Sequence, residues 1–183
     1  MPHHAVSLRS LTTTDIPAVL AACANWRELS RWGPPYWRPR AEAELARKAA
    51  GMAGPTSSSE YLFLIEHQDE SSSQDGDTPG RSRLVGECQL HAIDWRNRHA
   101  QIGVCIWRPD DRYHGYGIQA VEQLVTWARD ELGLARLEAS WILAGNTASH
   151  RHSSANWTSP MKAPPAAATN RVEDDGMWRG LSD

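Results

Sequence analysis

The chain opens with alternation at period two. In "AVSLRSL", Val6 and Leu8 fall on one side and Ser7 and Arg9 on the other, which predicts a strand with one wet face. Thr14 and Asp15 are good caps for "IPAVLAACAN", and Pro17 is tolerated in a first turn, so a helix is predicted from about Asp15 to Asn25. "RAEAELARKAAGMA" predicts a second helix with Gly51 as its stop. Three apolar runs follow, "EYLFLIE", "RLVGECQLHAID" and "HAQIGVCIW", and the last two are separated by a polar turn at Trp95 to Arg98. They predict an antiparallel meander. The acidic, serine-rich stretch across residues 67–82 predicts a flexible hairpin loop with no part in chemistry. Further on, Ile118, Val121, Leu124, Val125, Ala128 and Leu132 recur every three or four residues up to Gly133, a helix with its stop, and "ARLEASWI" alternates again. The order of elements predicts one α/β (α+β) domain over residues 1–183, with a mostly antiparallel sheet flanked by helices.

Composition narrows the class without naming a ligand. A chain of 183 residues with 40% hydrophobic and 22% charged positions has the make-up of a single soluble domain. A net charge of −3 gives no reason to expect nucleic acid or an anionic membrane as partner, and no apolar run is long enough to span a bilayer. Cys23, Cys88 and Cys105 are odd in number and widely spaced, which suits reduced thiols in a cytoplasm. The histidines, among them His3, His4, His150 and His152, lack the converging spacing of metal ligands, so no metal is expected.

The densest signal is "DDRYHGYGIQA", Asp110 to Ala120, where two glycines flank a tyrosine between a strand and a helix. A strand feeding such a turn aims the unpaired N–H groups and positive dipole end of the helix at whatever lies beyond it, a place suited to phosphate. Gly115 and Gly117 would let the backbone approach that phosphate, and Arg112 and His114 would add donors. The plain alternative is a left-handed turn that needs glycine for its own sake. The turn is neither G-x-x-x-x-G-K-[ST] nor a full G-x-G-x-x-G, so a triphosphatase or a dinucleotide fold is disfavoured.

Arg112-Tyr113-His114-Gly115-Tyr116-Gly117 matches the R-x-x-G-x-G/A pyrophosphate loop and resembles that of the GCN5-related N-acetyltransferases. The stretch from Gln101 to Arg151 is similar to the branch that includes ribosomal-protein alanine and serine N-terminal acetyltransferases, and "VSLRSLTTTDIPAVL" resembles the opening of that branch. The resemblance implies acetyl-CoA as co-substrate, held where the fourth and fifth strands splay apart. It places Cys105, Ile106 and Trp107 of the fourth strand, Gln101 to Trp107, beside the pantetheine. It places Arg112, His114, Gly115, Tyr116, Gly117 and Ile118 on the pyrophosphate loop, and Asn146 and Ser149 of "NTAS" in the segment that follows the fifth strand, Arg136 to Ile142. "NTAS" is equally a helix N-cap.

The implied chemistry is direct attack of a neutral amine on a thioester, which needs a proton acceptor, an oxyanion donor and a place for the leaving thiol. Glu87 is the candidate base if its side chain faces the cleft; otherwise it is only the polar half of "GECQL". Cys105, a strand cysteine, is expected to be buried and inert rather than a nucleophile. Trp26, Trp32, Tyr36 and Trp37 between the first two helices read either as a lid on the core or as a surface for the stem of the acceptor. Arg27, Arg31, Arg38 and Arg40 among them could hold a carboxylate. The expected partners are acetyl-CoA and an amine, from a protein N-terminus or a small molecule, with homodimer formation left open. The alternative of a different class is a catalytically inactive acyl-CoA-binding or interaction protein of the same fold.

The resemblance breaks after His150-Arg151. Residues 152–169, "HSSANWTSPMKAPPAAAT", have no helical period and carry three prolines where the resemblance implies an amphipathic helix and a strand. One account is a local shift of reading frame. Joining the last base of each codon to the first two of the next forces Leu from Asn156-Trp157, Asp from Trp157-Thr158 and Glu from Met161-Lys162, and permits LLRELDFTHEG. The other account is a divergent tail.

Overall fold

The computed structural model describes residues 6–30, 36–53, 58–68 and 82–139. Five strands form one sheet in the order β1-β2-β3-β4-β5: β1 (Val6–Ser10), β2 (Tyr61–Gln68), β3 (Ser82–Asp94), β4 (His99–Ile106) and β5 (Arg136–Ala139). The first four are antiparallel to their neighbours, and β5 runs parallel to β4. Helices α1 (Ile16–Ala22), α2 (Trp26–Leu29) and α3 (Glu42–Ala53) lie between β1 and β2 in the chain, and α4 (Tyr116–Asp130) lies between β4 and β5. The mixed α/β fold and mostly antiparallel sheet expected from the patterning are present.

Alternation along the strands divides the core in two. Phe63 and Ile65 of β2, Cys88 and Leu90 of β3, and Ala100 and Ile102 of β4 face α4, where Ala120, Val121, Leu124 and Ala128 complete one cluster. Leu62 and Leu64 of β2 and Cys105 of β4 face the other way and pack with Val19 of α1, Leu29 of α2, Leu45 and Ala49 of α3, Tyr36 and Trp107. A bulge in β3, where Ile65 pairs Gly86 and Glu66 pairs Leu84, keeps this alternation in phase beyond the extra residue. Gly86 is required there: a Cβ would lie 2.3 Å from the Cys105 carbonyl oxygen. On the outer strand β1, Gln123 of α4 donates to the Val6 carbonyl at 2.9 Å and accepts from the Leu8 N–H at 3.3 Å, covering backbone that an edge would leave bare.

Several boundaries differ from the patterning. The first helix stops at Ala22, with Cys23 leaving α geometry at φ −94° and ψ 10°, and Asn25, at ψ 58°, caps a separate turn, Trp26–Leu29, that buries Leu29. Gly51 does not end α3, which continues to Ala53. His67, Gln68 and Ser82 belong to the β2–β3 ladder, not to a loop, and the rest of that stretch lies outside the described residues. Ile118 is exposed and no part of the helix's buried stripe. Gly133, at φ 64°, does turn the chain after α4.

Candidate functional site

The described part of β5, Arg136–Ala139, pairs with His99 to Ile102 of β4, and residues 140 onward lie outside the described residues. β3 continues alongside β4 as far as Gly86 opposite Ile106, so the stretch Gly103–Ile106 is paired on its β3 side. Val104 is exposed on this stretch, and Val104 and Ile106 lie 3.7 and 3.8 Å from where a Cβ on Gly117 would sit. The strand end and the first turn of α4 therefore form one continuous surface.

The turn itself is built by backbone. Arg112 is extended, at φ −80° and ψ 158°, Tyr113 takes φ 67°, and Gly115 takes φ 81° as the N-cap of α4 with no side chain capping the helix. Residues Tyr116, Gly117 and Ile118 open the helix, so their N–H groups have no intrahelical acceptor, and the first intrahelical bond runs from the Gln119 N–H to the Gly115 carbonyl at 3.1 Å. Gly115 needs glycine for its φ. Gly117 does not: it is helical, and a Cβ there would make ordinary contacts with Val104 and Ile106. Its lack of a side chain leaves room between α4 and β4 instead.

The Arg112 guanidinium is engaged by protein partners. Its Nε donates to the Ile106 carbonyl at 3.1 Å, its Nη2 donates to the Trp107 carbonyl at 2.9 Å, and Nη1 and Nη2 form a two-bonded pair with Glu28 at 2.8 and 3.0 Å. The Glu28 hydrogen bond, outweighing burial, holds the guanidinium pKa above its ordinary value. The residue before it is also held, by an Asp111–Arg83 ion pair at 2.7 Å. The exposed His114 ring contacts the Asp110 carbonyl at 3.1 Å and stacks on Tyr116, whose ring is also tilted against His67.

On the opposite face, β3 turns a polar row toward α3: Glu87, then Gln89, then His91. Glu87 is buried at 2% exposure, and its Oε1 accepts from the Tyr36 hydroxyl at 2.5 Å and from Arg40 Nη1 at 2.6 Å. Among the described residues Oε2 has no hydrogen-bond partner, nor have Nε and Nη2 of Arg40. Burial, with Glu87 and Cys105 adding to it, pushes the Tyr36 hydroxyl well above its usual pKa, so Tyr36 donates as a neutral phenol. Next along the row, Lys48 of α3 reaches Gln89 Oε1 at 3.3 Å and Glu60 at 3.2 Å. Burial, then the Lys48 charge, lowers the pKa of His91. The buried Cys105 thiol is pushed far up by burial, which suits an inert side chain and not a nucleophile.

Of the sequence-predicted residues, Cys105, Ile106, Trp107, His114, Gly115, Tyr116, Gly117 and Ile118 lie along the strand end and turn just described, and Glu87 sits beside Cys105 on the neighbouring strand. The Cys105 and Trp107 side chains are buried in the α1–α3 core, so only their backbone is available to a ligand beside β4. Asn146, Ser149 and residues 152–169 lie outside the described residues, as do Arg31 and Trp32. Tyr36 is a buried partner of Glu87, Trp26 is half-buried under the Arg27 guanidinium, and Trp37 is exposed at 56%. Arg40 is buried against Glu87 and does not offer itself to a carboxylate at the surface. Sequence reasoning passed over Glu28, the Tyr36–Arg40–Glu87 contact and Val104. Only Val104 carried a local signal, as the outward position of an alternating strand.

No group of three or more His, Cys, Asp or Glu that could hold a metal ion occurs among the described residues. No helix among them is long and apolar enough to cross a membrane.

Residues 6–154 match the family model of the acetyltransferase (GNAT) domain. No curated protein matches the chain by sequence. Among solved structures, the chain is similar to RimL, a ribosomal L7/L12 alpha-N-protein acetyltransferase in complex with coenzyme A, at 15% identity over 82% of this chain and 78% of that one, TM-score 0.62. It is similar to a spermidine N-acetyltransferase from Vibrio cholerae in complex with CoA and spermine, at 18% identity over 83% and 80%, TM-score 0.61. It is also similar to a domain from Methanocaldococcus jannaschii, at 13% identity over 81% and 85%, TM-score 0.61. At these identities the likeness is one of fold.

Proposed function

We propose, from the premise that the chain belongs to the acetyltransferase (GNAT) domain family of acetyl-CoA-dependent N-acetyltransferases, that it acetylates a primary amine, on a protein N-terminus or a small molecule, by direct attack. The observation that supports this reading is the end of β4, where Val104 is exposed, running into the Gly115 turn that opens α4; on this reading the edge of Gly103–Ile106 away from β3 is open. An extended thiol arm can add to such an edge by backbone hydrogen bonds, and a pyrophosphate can settle on N–H groups at the start of a helix. The edge at Cys105, Ile106 and Trp107 and the turn at His114, Gly115, Tyr116, Gly117 and Ile118 would hold acetyl-CoA, with Asn146 and Ser149 as further contacts. Acetyl-CoA supplies an activated acyl group and a thiolate leaving group.

In the reaction the amine nitrogen forms a bond to the acetyl carbon, the carbon–sulfur bond breaks, and one amine proton leaves. A backbone N–H at Cys105 or Ile106 would donate to the developing oxyanion. Glu87 would receive the amine proton, directly or through water, on Oε2, the carboxylate oxygen that lacks a partner. Arg40 holds that carboxylate in place through Oε1, which leaves Oε2 as the oxygen for the proton.

Two relatives of the fold act on different amines, a ribosomal protein and spermidine, as their names state, and neither choice is carried over. The test is thiol release from acetyl-CoA over a panel of peptide N-termini, polyamines and amino acids. Release that depends on one class of amine is the expected result. Binding of acetyl-CoA without turnover on any of them would favour the second reading, an inactive acyl-CoA-binding protein. One observation favours that reading: the family match ends at residue 154, close to where "HSSANWTSPMKAPPAAAT" begins. Sequencing the gene across the codons of Arg151 to Asn170 separates a shifted frame from a divergent tail.

A further inference from the structure

Arg112 spans three parts of the molecule with one planar group. Through Nε and Nη2 it holds the Ile106 and Trp107 carbonyls at the end of β4, and through Nη1 and Nη2 it holds both carboxylate oxygens of Glu28 in α2. It is also the last extended residue before Tyr113 and Gly115 take positive φ. The pair joins positions 84 apart in sequence, and the two side chains are 12% and 23% exposed, so solvent screens it only in part. α2 in turn leads along the chain to Tyr36 and Arg40, the two partners of Glu87. On the other flank, Asp111 is fixed to Arg83. The turn therefore starts from two ion pairs, of which one reaches the sheet and the other reaches the acceptor-side helix.

We propose that the Arg112–Glu28 pair is a strut coupling the pyrophosphate turn to α2, so that acetyl-CoA binding orders the acceptor side, and that both are positioning residues. This rests on the reading of the Gly115 turn as the pyrophosphate site. A ligand that settles on the turn's N–H groups favours the backbone conformation that holds Arg112 in place, and Arg112 then holds α2. Linkage makes the effect reciprocal: loosening α2 weakens acetyl-CoA, although Glu28 touches none of it. A guanidinium that bound phosphate directly would give a different pattern, because removing Glu28 would free Arg112 to bind more tightly.

The test is acetyl-CoA calorimetry and hydrogen exchange across Asn25–Ser30 for the wild type, Glu28→Gln, Arg112→Gln and the double variant, at a temperature where melting curves show each one folded. In the wild type, acetyl-CoA is expected to slow exchange in α2. Glu28→Gln should abolish that slowing and weaken binding by about fivefold to twentyfold, with little further loss in the double variant. Glu28→Asp, which keeps the charge, should restore part of both. Unchanged or tighter binding in Glu28→Gln, or the same slowing of α2 in wild type and variant, overturns the strut while leaving the turn's assignment intact. A wild-type protein that binds no acetyl-CoA overturns the pyrophosphate reading and the strut with it.

Discussion

The two faces of the sheet near the end of β4 are built in opposite ways. On the α4 side the proposed cofactor site is backbone: the end of β4, a left-handed Gly115 and the opening N–H groups of a helix. On the α1–α3 side it is side chains, with Tyr36 and Arg40 closed on a buried Glu87, Lys48 on Gln89, and Glu28 on Arg112. A backbone site accepts any chain that supplies the right turn, so one family can keep one cofactor. A site of paired side chains can be rebuilt residue by residue, which suits an acceptor that changes from member to member.

If this contrast is right, the acceptor face is the fragile one. Arg40→Met should have the largest effect, because it leaves the Glu87 carboxylate buried without its cation, at a cost of about 3–5 kcal/mol. The expected fall in melting temperature is about 10 °C. A fall under about 2 °C would mean the pair is not buried in solution. Glu87→Gln keeps the shape and removes the proton acceptor. Turnover at neutral pH should drop about 100-fold while acetyl-CoA affinity stays within about twofold. A pH–rate profile that superimposes on the parent's would end the role of Glu87 as base.

These differences also mark what can be read along the chain. The strands, α4 and the glycine turn are local: alternation at period two, apolar recurrence at three or four, and a single φ that only glycine takes easily. The acceptor face is not local. Tyr36 and Arg40 meet Glu87 from 51 and 47 residues away, and Glu28 meets Arg112 from 84. Nothing in "NWREL" or "RAEAEL" announces these pairings: Glu28 alone reads as a solvated charge, and Arg40 could have held any carboxylate. Arg112 shows the same limit: its place in the motif pointed to phosphate, and its partner Glu28 on a helix far away in sequence had no local signal.

A smaller effect probes the rim between the two faces. Trp37 is exposed and should contribute under about 0.5 kcal/mol to stability. If it packs the acceptor's stem, Trp37→Ala raises the KM of the amine identified by the panel about threefold, with no change for acetyl-CoA or in melting temperature. A lower melting temperature with the amine's KM unchanged would make Trp37 a core lid instead.

The smallest effect belongs to neither face and serves as a control. The Arg9 hydrogen bond, followed by contacts from Thr12, holds the Asp15 carboxyl at a pKa of about 2, below its ordinary 3.8. The folded pKa is depressed, so this contribution is fully present above about pH 4 and is lost as pH falls through 2. Asp15→Asn should lower the melting temperature by roughly 1–4 °C at pH 7 and make no difference near pH 2. A loss of the same size at both ends would assign the effect to something other than the Arg9–Asp15 pair.

The central claim, a backbone-built cofactor face distinct from a side-chain-built acceptor face, is tested most directly by titrating acetyl-CoA into Gly115→Val and Glu87→Gln beside the wild type. Valine at φ 81° costs on the order of 1–3 kcal/mol of backbone strain at the turn. The wild type and Glu87→Gln should bind acetyl-CoA alike, and Gly115→Val, folded by its melting curve, should bind at least about tenfold more weakly. Equal affinity in Gly115→Val and the wild type would contradict that claim.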